Sequence, residues 1–359
     1  DQEGVGYFQL TLDKGRRCSS AVAYLNPARS RKNLSIITHA QAEKLLINDG
    51  RATGVTVNIN GQSQNILARR EVILSAGTIG SPQILMLSGI GAADELKQQG
   101  IDVVHNLPGV GKNLQDHLQA RPVFKTDLST INIETSNLFK KGIIALQYAL
   151  MQTGPMTMAA SLGTGFIKTD PVLDSPDIQF HIQPFSATAP ADGPHKFSAF
   201  TASVLQMRPE STGHLTLKSA DWRDHPAIHP NYLATNLDRD TIVKGIQIAR
   251  KIAQFEPLKS HITEEFAPGS GVGVEDYDAT LKWARDTSVT IYHPTGTCKM
   301  GQDEMAVVDE RLRLHGIDGL RVADCSIMPT ITSGNTNAPT MMVAHKAADL
   351  ILAAADRSK

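Results

Sequence analysis

Along positions 34–118 the chain alternates short apolar runs with turn residues. Leu34–Ala40 (LSIITHA) is dense in β-branched residues and predicts a strand. RATGVTVNINGQSQNILARREVILSAG then reads as a meander, with Asn60–Gly61 as its hairpin turn. EVILSAG closes it as a buried strand running into glycine. In TIGSPQILMLSGIG, Ser81-Pro82 predicts a helix start and Ser88-Gly89 its stop. Leu107–His117 (LPGVGKNLQDH) reads as a loop. From Gln119 to Asp286 the texture changes to a helix near 139–151, the strands DIQFHIQPF and FTASVLQM, a strand pair around GHLTLKS, and a helix near 240–253. The last segment returns to α/β texture, with LRVADCS as a strand and NAPTMMVAHKAADLILAAA as a helix carrying Pro339 near its first turn.

Composition narrows the class. The chain has 359 residues, 41% hydrophobic and 20% charged, enough for about two domains with a real core. A net charge of −1 gives no basic footprint for nucleic acid, and no apolar run approaches the roughly 20 residues that span a bilayer. Cys18, Cys298 and Cys325 are too few for a disulfide framework; they point to a reducing compartment and a cytoplasmic protein. The opening DQEGVGYFQLTL has no initiator Met and no signal-peptide pattern, and reads as entry midway through a domain.

Candidate chemistry centres on IYHPTGTCKMG (291–301). Local sequence leaves His293 open as a general base, a metal ligand beside Cys298, half of a thiol–histidine dyad, or a loop residue. No second Cys/His pair has zinc-site spacing, and no GxSxG elbow occurs. GVGKNL, GIGAAD and GSGVGV lack the strand–GxGxxG–helix setting of a dinucleotide site and read as loops. SGNTNAPTMM places Asn335 and Asn337 just ahead of a Pro-initiated helix, whose N-terminus suits an anion or an electron-rich ring; the plainer reading is an Asn N-cap.

Taken in order, these stretches resemble one family. AGTIGSPQILMLSGIG, PGVGKNLQDH, RPESTGHLTLKS with PAIHPNYL, YHPTGTCKMG, GLRVADCSIMP and SGNTNAPTMMVAHKAADLI are similar to motifs of the glucose–methanol–choline (GMC) oxidoreductases. The resemblance implies an FAD-dependent oxidation of a primary alcohol to an aldehyde, by hydride transfer to flavin N5. It makes His293 the base and Asn335 its partner, and leaves Cys298 to packing. It assigns cofactor contacts to Ala42, Ala76, Gly77, Ala323, Asp324, Asn337 and the helix start at Pro339. No metal is implied.

The expected fold is accordingly α/β plus α+β: the remnant of a Rossmann-like FAD-binding domain with an antiparallel-sheet substrate domain. Residues 1–118 and 287–359 would form the first, its N-terminal ADP-binding part missing, and 119–286 the second. Family members begin with a strand–GxGxxG–helix that this sequence lacks. FAD binding by the isolated chain is therefore expected to be weak or absent, unless a separate chain supplies the N-terminal FAD-binding piece. Without flavin, the pocket of His293, Thr295, Thr297 and Ser333 would support weak hydrolysis or nothing. Choline-oxidising relatives place a carboxylate near the strand that reads SLGTGFIKT here; this chain has Leu162. The expected partner is an uncharged small-molecule alcohol.

Overall fold

The structure is a computed structural model that describes residues 2–188 and 193–356. Two compact units are present: Asp1–Leu34 with Leu118–Met207 and Thr235–Ile291, and Ser35–His117 with Arg208–Ala234 and Tyr292–Lys359.

The first unit is built on an eight-stranded antiparallel sheet. Its main order is Gly4–Tyr7, Gly163–Ile167, Ile178–Gln183, Ala199–Gln206, Leu118–Ala120 and Val289–Thr290; Val123–Thr126 also pairs with Ala199–Gln206 and carries Ile262–Ala267. Phe180 lies opposite Val204 and His181 opposite Ser203. Because side chains alternate across a strand, this register puts Phe124, Ile178, Phe180, Phe200, Ala202 and Val204 on one face and Gln179, His181, Gln183, Thr201 and Ser203 on the other.

The apolar face is covered by the helix Asn236–Ile252. Thr235 caps that helix by accepting the Asp238 N–H, and Ile242, Ile246 and Ala249 form its buried stripe. Gly245 sits in the stripe because a Cβ there would stand 2.7 Å from Val204 Cγ2.

The second unit holds the meander Ala40–Asn48, Arg51–Ile59 and Gln62–Leu67. Its turn residues Asn60 and Gly61 have φ of 52° and 84°, the two positive values that a type I′ hairpin needs. Val72–Leu74 pairs in parallel with Leu320–Val322 and leads into the helix Gly77–Leu87. Leu85, Ile90, Leu215, Val307, Leu320 and Val322 lie in one core, into which the C-terminal helix Asn337–Asp356 inserts Val343 and Ala347.

Several expectations change. Leu34–Ala40 is not a strand: His39 takes a left-handed φ of 55°, which ends any extended run, and pairing starts at Ala40. The Gly77–Leu87 helix begins four residues before Ser81, so Pro82 lies inside it rather than at its start. GIGAAD is not a loop, since Ile90–Gly91 pairs with His105–Asn106 and a helix runs from Ala93 to Gln98. Asp94 and Glu95 occupy that helix's first turn, where their charges oppose a phosphate.

The unit boundaries also differ from the expected ones. Residues 1–34 join the antiparallel unit, with Gly4–Tyr7 in register against Gly163–Phe166. Residues 208–234 join the other unit, where Gly213 bridges Leu114 and Leu215 enters the core.

Replacing a helical glycine with alanine ordinarily gains about 1 kcal/mol. At Gly245 the added methyl meets fully buried Val204, and overpacking costs about 1–3 kcal/mol. Gly245→Ala is therefore expected to lower the urea midpoint, whereas a raised midpoint would show that propensity outweighs packing here.

Candidate active site

The site grows from the end of the Leu107–His117 loop. Gln115 and Thr295 exchange backbone hydrogen bonds, N–H to O, at 3.1 and 2.8 Å, so the HPTG turn lies antiparallel to this loop. The Asn113 amide donates to the Gly296 and Pro329 carbonyls at 3.2 and 3.1 Å. Gly296 has φ 91°, and a Cβ on it would stand 2.4 Å from the Asn113 carbonyl oxygen, so only glycine fits. The Gln115 carboxamide donates to the Pro329 carbonyl and accepts the Ile331 N–H, which ties down the segment leading to Asn335.

The helix Gly77–Leu87 supplies the other wall. Pro82 has no N–H to give the Thr78 carbonyl, its i−4 partner. Thr297 Oγ1 donates to that carbonyl instead, at 2.6 Å, and Thr78 Oγ1 donates to the Pro294 carbonyl at 2.7 Å. Thr297 and Pro294 of the HPTGT turn are therefore fitted to Thr78 at a defect in the helix.

At the centre, His293 is 7% exposed and His117 fully buried. Their Nδ1 atoms lie 3.0 Å apart, with the rings edge-to-face. The Asp116 carboxylate accepts the His293 backbone N–H at 2.9 Å and the Tyr232 hydroxyl on its other oxygen. Asn335 Nδ2 lies 3.2 Å from His293 Nε2. His293 and Asn335, expected as a pair, are thus within one hydrogen bond of each other. Asp116, His117 and Tyr232 were not anticipated; the only trace in the sequence was an Asp-His pair closing a glycine-rich loop.

The residues expected to touch a cofactor fall into separate groups. Asp324 is buried and saturated: it accepts the Gly77 N–H and the Ser81 hydroxyl on one oxygen, and the Ser326 N–H and hydroxyl on the other. The Ala76 N–H goes to Ser81 Oγ and the Ala323 N–H to the Leu74 carbonyl. Ala76, Gly77, Ala323 and Asp324 thus form one structural knot whose backbone donors and carboxylate are already engaged. Ala42 is half-buried in the Ala40–Asn48 strand against the core. Asn335 and Asn337 are exposed, at the start of a 20-residue helix with no acidic residue in its first turn. That end keeps its partial positive charge and suits an electron-rich ring oxygen, as a flavin would present. These 359 residues carry no GxGxxG cradle of the kind that holds a diphosphate.

The thiol reading of the PTGTC segment loses its support. Cys298 is fully buried; burial and the nearby Asp324 carboxylate push its thiol well above the ordinary range, against a hydrogen bond from Ser326, so a thiolate nucleophile is disfavoured. Among the described residues, no group of three or more His, Cys, Asp and Glu side chains could hold a metal ion. Thr297 Oγ1 donates to the Thr78 carbonyl, Thr295 is fully buried, and Ser333 Oγ accepts from Arg208.

Thr297→Val keeps the side-chain shape but strands the buried Thr78 carbonyl. A loss of about 1–3 kcal/mol is expected, read as a lower urea midpoint. An unchanged midpoint would mean that the carbonyl finds another donor.

Two sequence profiles, both described as GMC oxidoreductase, match residues 1–119 and 209–344. The chain is 41% identical to an alcohol dehydrogenase (acceptor) of Pseudomonas putida, with 99% of this chain and 64% of that protein covered. It is 43% identical to human mitochondrial choline dehydrogenase, with 98% and 59% covered. It therefore spans roughly three-fifths of the length of these relatives. Among solved structures, formate oxidase of Aspergillus oryzae, studied for its FAD modification, superposes with a TM-score of 0.91 at 28% identity, over 98% of this chain and 66% of its own. Pyridoxine 4-oxidase from Mesorbium loti gives 0.82 at 28% identity, over 97% and 64%. No helix among the described residues is long and apolar enough to cross a membrane. The two profiles fall, in chain order, on the loop and the turn that together hold His293, and the chain belongs to the GMC oxidoreductase family.

Proposed function

We propose that the protein oxidises an uncharged primary alcohol to an aldehyde, with His293 as the base and Asn335 as the orienting group. The observation that carries this reading is the 3.2 Å approach of Asn335 Nδ2 to His293 Nε2 on a buried imidazole whose other nitrogen faces His117 Nδ1. Removing hydride from an alcohol carbon requires the O–H proton to leave, and a neutral imidazole is the natural acceptor near pH 7. With the two groups one hydrogen bond apart, a single hydroxyl oxygen can donate to Nε2 while accepting from Asn335, which fixes its direction. FAD, when bound, supplies the two-electron acceptor. Asn335, Asn337 and the first turn of the helix carrying Pro339 would hold its ring end, where the helix dipole favours the charge gained on reduction.

Choline and other quaternary ammonium substrates need a carboxylate or an aromatic cage. The stretch SLGTGFIKT, near which choline-oxidising relatives carry a carboxylate, has Leu162 and no acid, which supports an uncharged alcohol. The diphosphate of FAD would be held outside these 359 residues. By themselves they are expected to bind FAD weakly, so an absorbance titration showing stoichiometric uptake would overturn this division of the cofactor site.

In a flavin-loaded assembly, His293→Ala is expected to lower kcat by about 10²–10⁴-fold, the usual size of a lost general base. Asn335→Ala should cost less, because a proton acceptor remains. Cys298→Ala should leave turnover nearly unchanged. Stopped-flow reduction of the flavin checks all three, and the assignment fails should His293→Ala spare turnover while Cys298→Ala abolishes it.

A further inference from the structure

We propose that His117 is the positioning residue that fixes the tautomer of His293 and so makes its Nε2 the basic atom; this rests on the reading of His293 as the base. A neutral imidazole carries one ring proton, and which nitrogen holds it is set by the partner of the other. An amide nitrogen can only donate, so Asn335 Nδ2, 3.2 Å from His293 Nε2, requires an unprotonated Nε2. The proton of His293 must then sit on Nδ1. The atom facing Nδ1 at 3.0 Å is His117 Nδ1, which must accept it, and His117 carries its own proton on Nε2. Along Asn335, His293 and His117 every donor and acceptor role follows from the amide.

The reverse tautomer would disable the site. With its proton on Nε2, His293 would turn its lone pair toward His117 and could not take a proton from an alcohol held by Asn335. His117 is fully buried and His293 nearly so, so no bulk water competes for Nδ1. Asp116 accepts the His293 backbone N–H and anchors the main chain beneath the ring, and the edge-to-face contact with His117 orients the ring plane. Tyr292, just before it, is held at a left-handed φ of 64°, a conformation that a non-glycine residue keeps only when its surroundings impose it.

The same contact serves a second time in the reaction. When the alcohol O–H bond breaks, its proton goes to His293 Nε2 and the ring becomes an imidazolium bearing two N–H groups. The Nδ1–H···Nδ1 bond to His117 is then charge-assisted and stronger, which stabilises a cation that burial otherwise disfavours. Orienting partners of this kind are commonly worth 10–100-fold in activity where they hold a ligating histidine.

The test begins with the wild-type chain, labelled with 15N-histidine and observed by NMR above the titration range of its histidines, with His293→Asn to assign the resonances. The expected spectrum shows His293 Nδ1 protonated and Nε2 unprotonated, and an Nε2-protonated His293 overturns the proposal without reference to turnover. His117→Asn keeps an acceptor oxygen near the place of Nδ1 and should preserve that pattern; His117→Leu removes the acceptor and should shift the proton toward Nε2.

In a flavin-loaded assembly, His117→Leu is expected to lower kcat about 10–100-fold with KM little changed. It should also move the rise of the kcat pH profile to lower pH, because the imidazolium has lost its partner, and His117→Asn should restore most of both. A rate loss with an unmoved pH profile marks a merely structural role and sinks the proposal. Where His117→Leu does not fold, the wild-type spectrum alone decides. A confirmed tautomer together with a His293→Ala protein that still turns over would leave the tautomer assignment standing and overturn the functional reading instead.

Discussion

The site depends on the pairing of one short segment, Asn113–His117, with two loops distant in sequence. Its backbone runs antiparallel to the HPTG turn, its Asn and Gln side chains hold the Pro329–Ile331 segment, and its last two residues hold His293 by main chain and by ring. Each of these bonds adds only about 1 kcal/mol net, but each buried group left without its partner would cost about 1–3 kcal/mol. The asymmetry makes the arrangement close to all-or-none: once Gln115 and Thr295 pair, the neighbouring side chains have one satisfied arrangement available. The imidazole of His293 is placed here by accumulated hydrogen bonds on a loop.

The same logic explains residues that otherwise look irregular. Pro82 within a helix, Gly296 at a left-handed φ and Tyr292 in a strained conformation each break a local rule. Each break is matched by a long-range partner: Thr297 for the carbonyl left by Pro82, the Asn113 carbonyl crowding Gly296, and the Asp116 carboxylate on the amide that follows Tyr292. Departures from local preference concentrate where the chemistry is, as expected when tertiary contacts over-determine a site.

The residues assigned by resemblance divide by what their polar atoms already do. Ala76, Gly77, Ala323 and Asp324 hydrogen-bond to one another and to Leu74, Ser81 and Ser326, which locks the Val72–Leu74 and Leu320–Val322 strands to the helix start. Asn335 and Asn337 remain exposed beside a helix end without acidic neighbours. A motif signals both kinds of residue equally, because it registers only that a position is constrained. Hydrogen-bond partners distinguish a position that shapes the backbone from one that faces a ligand.

By itself, the sequence determined what local chemistry controls. Asn60–Gly61 specified a hairpin because both residues tolerate positive φ, and DIQFHIQPF and FTASVLQM read as strands, which they are over 178–183 and 199–206. The spacing around His293 and the carboxamides ahead of the last helix were also legible, and their similarity to one family gave the pairing of His293 with Asn335. Local pattern misled where a distant partner decided the outcome: Leu34–Ala40 has strand composition but a turned backbone at His39, and Pro82 resembles a helix start until Thr297 is seen to relieve its missing bond. The tertiary structure alone decided the roles of Asp116 and His117. A hydrogen bond between residues 176 positions apart leaves no periodicity in the chain, and the tautomer of a histidine depends on which atom stands 3.0 Å from its ring.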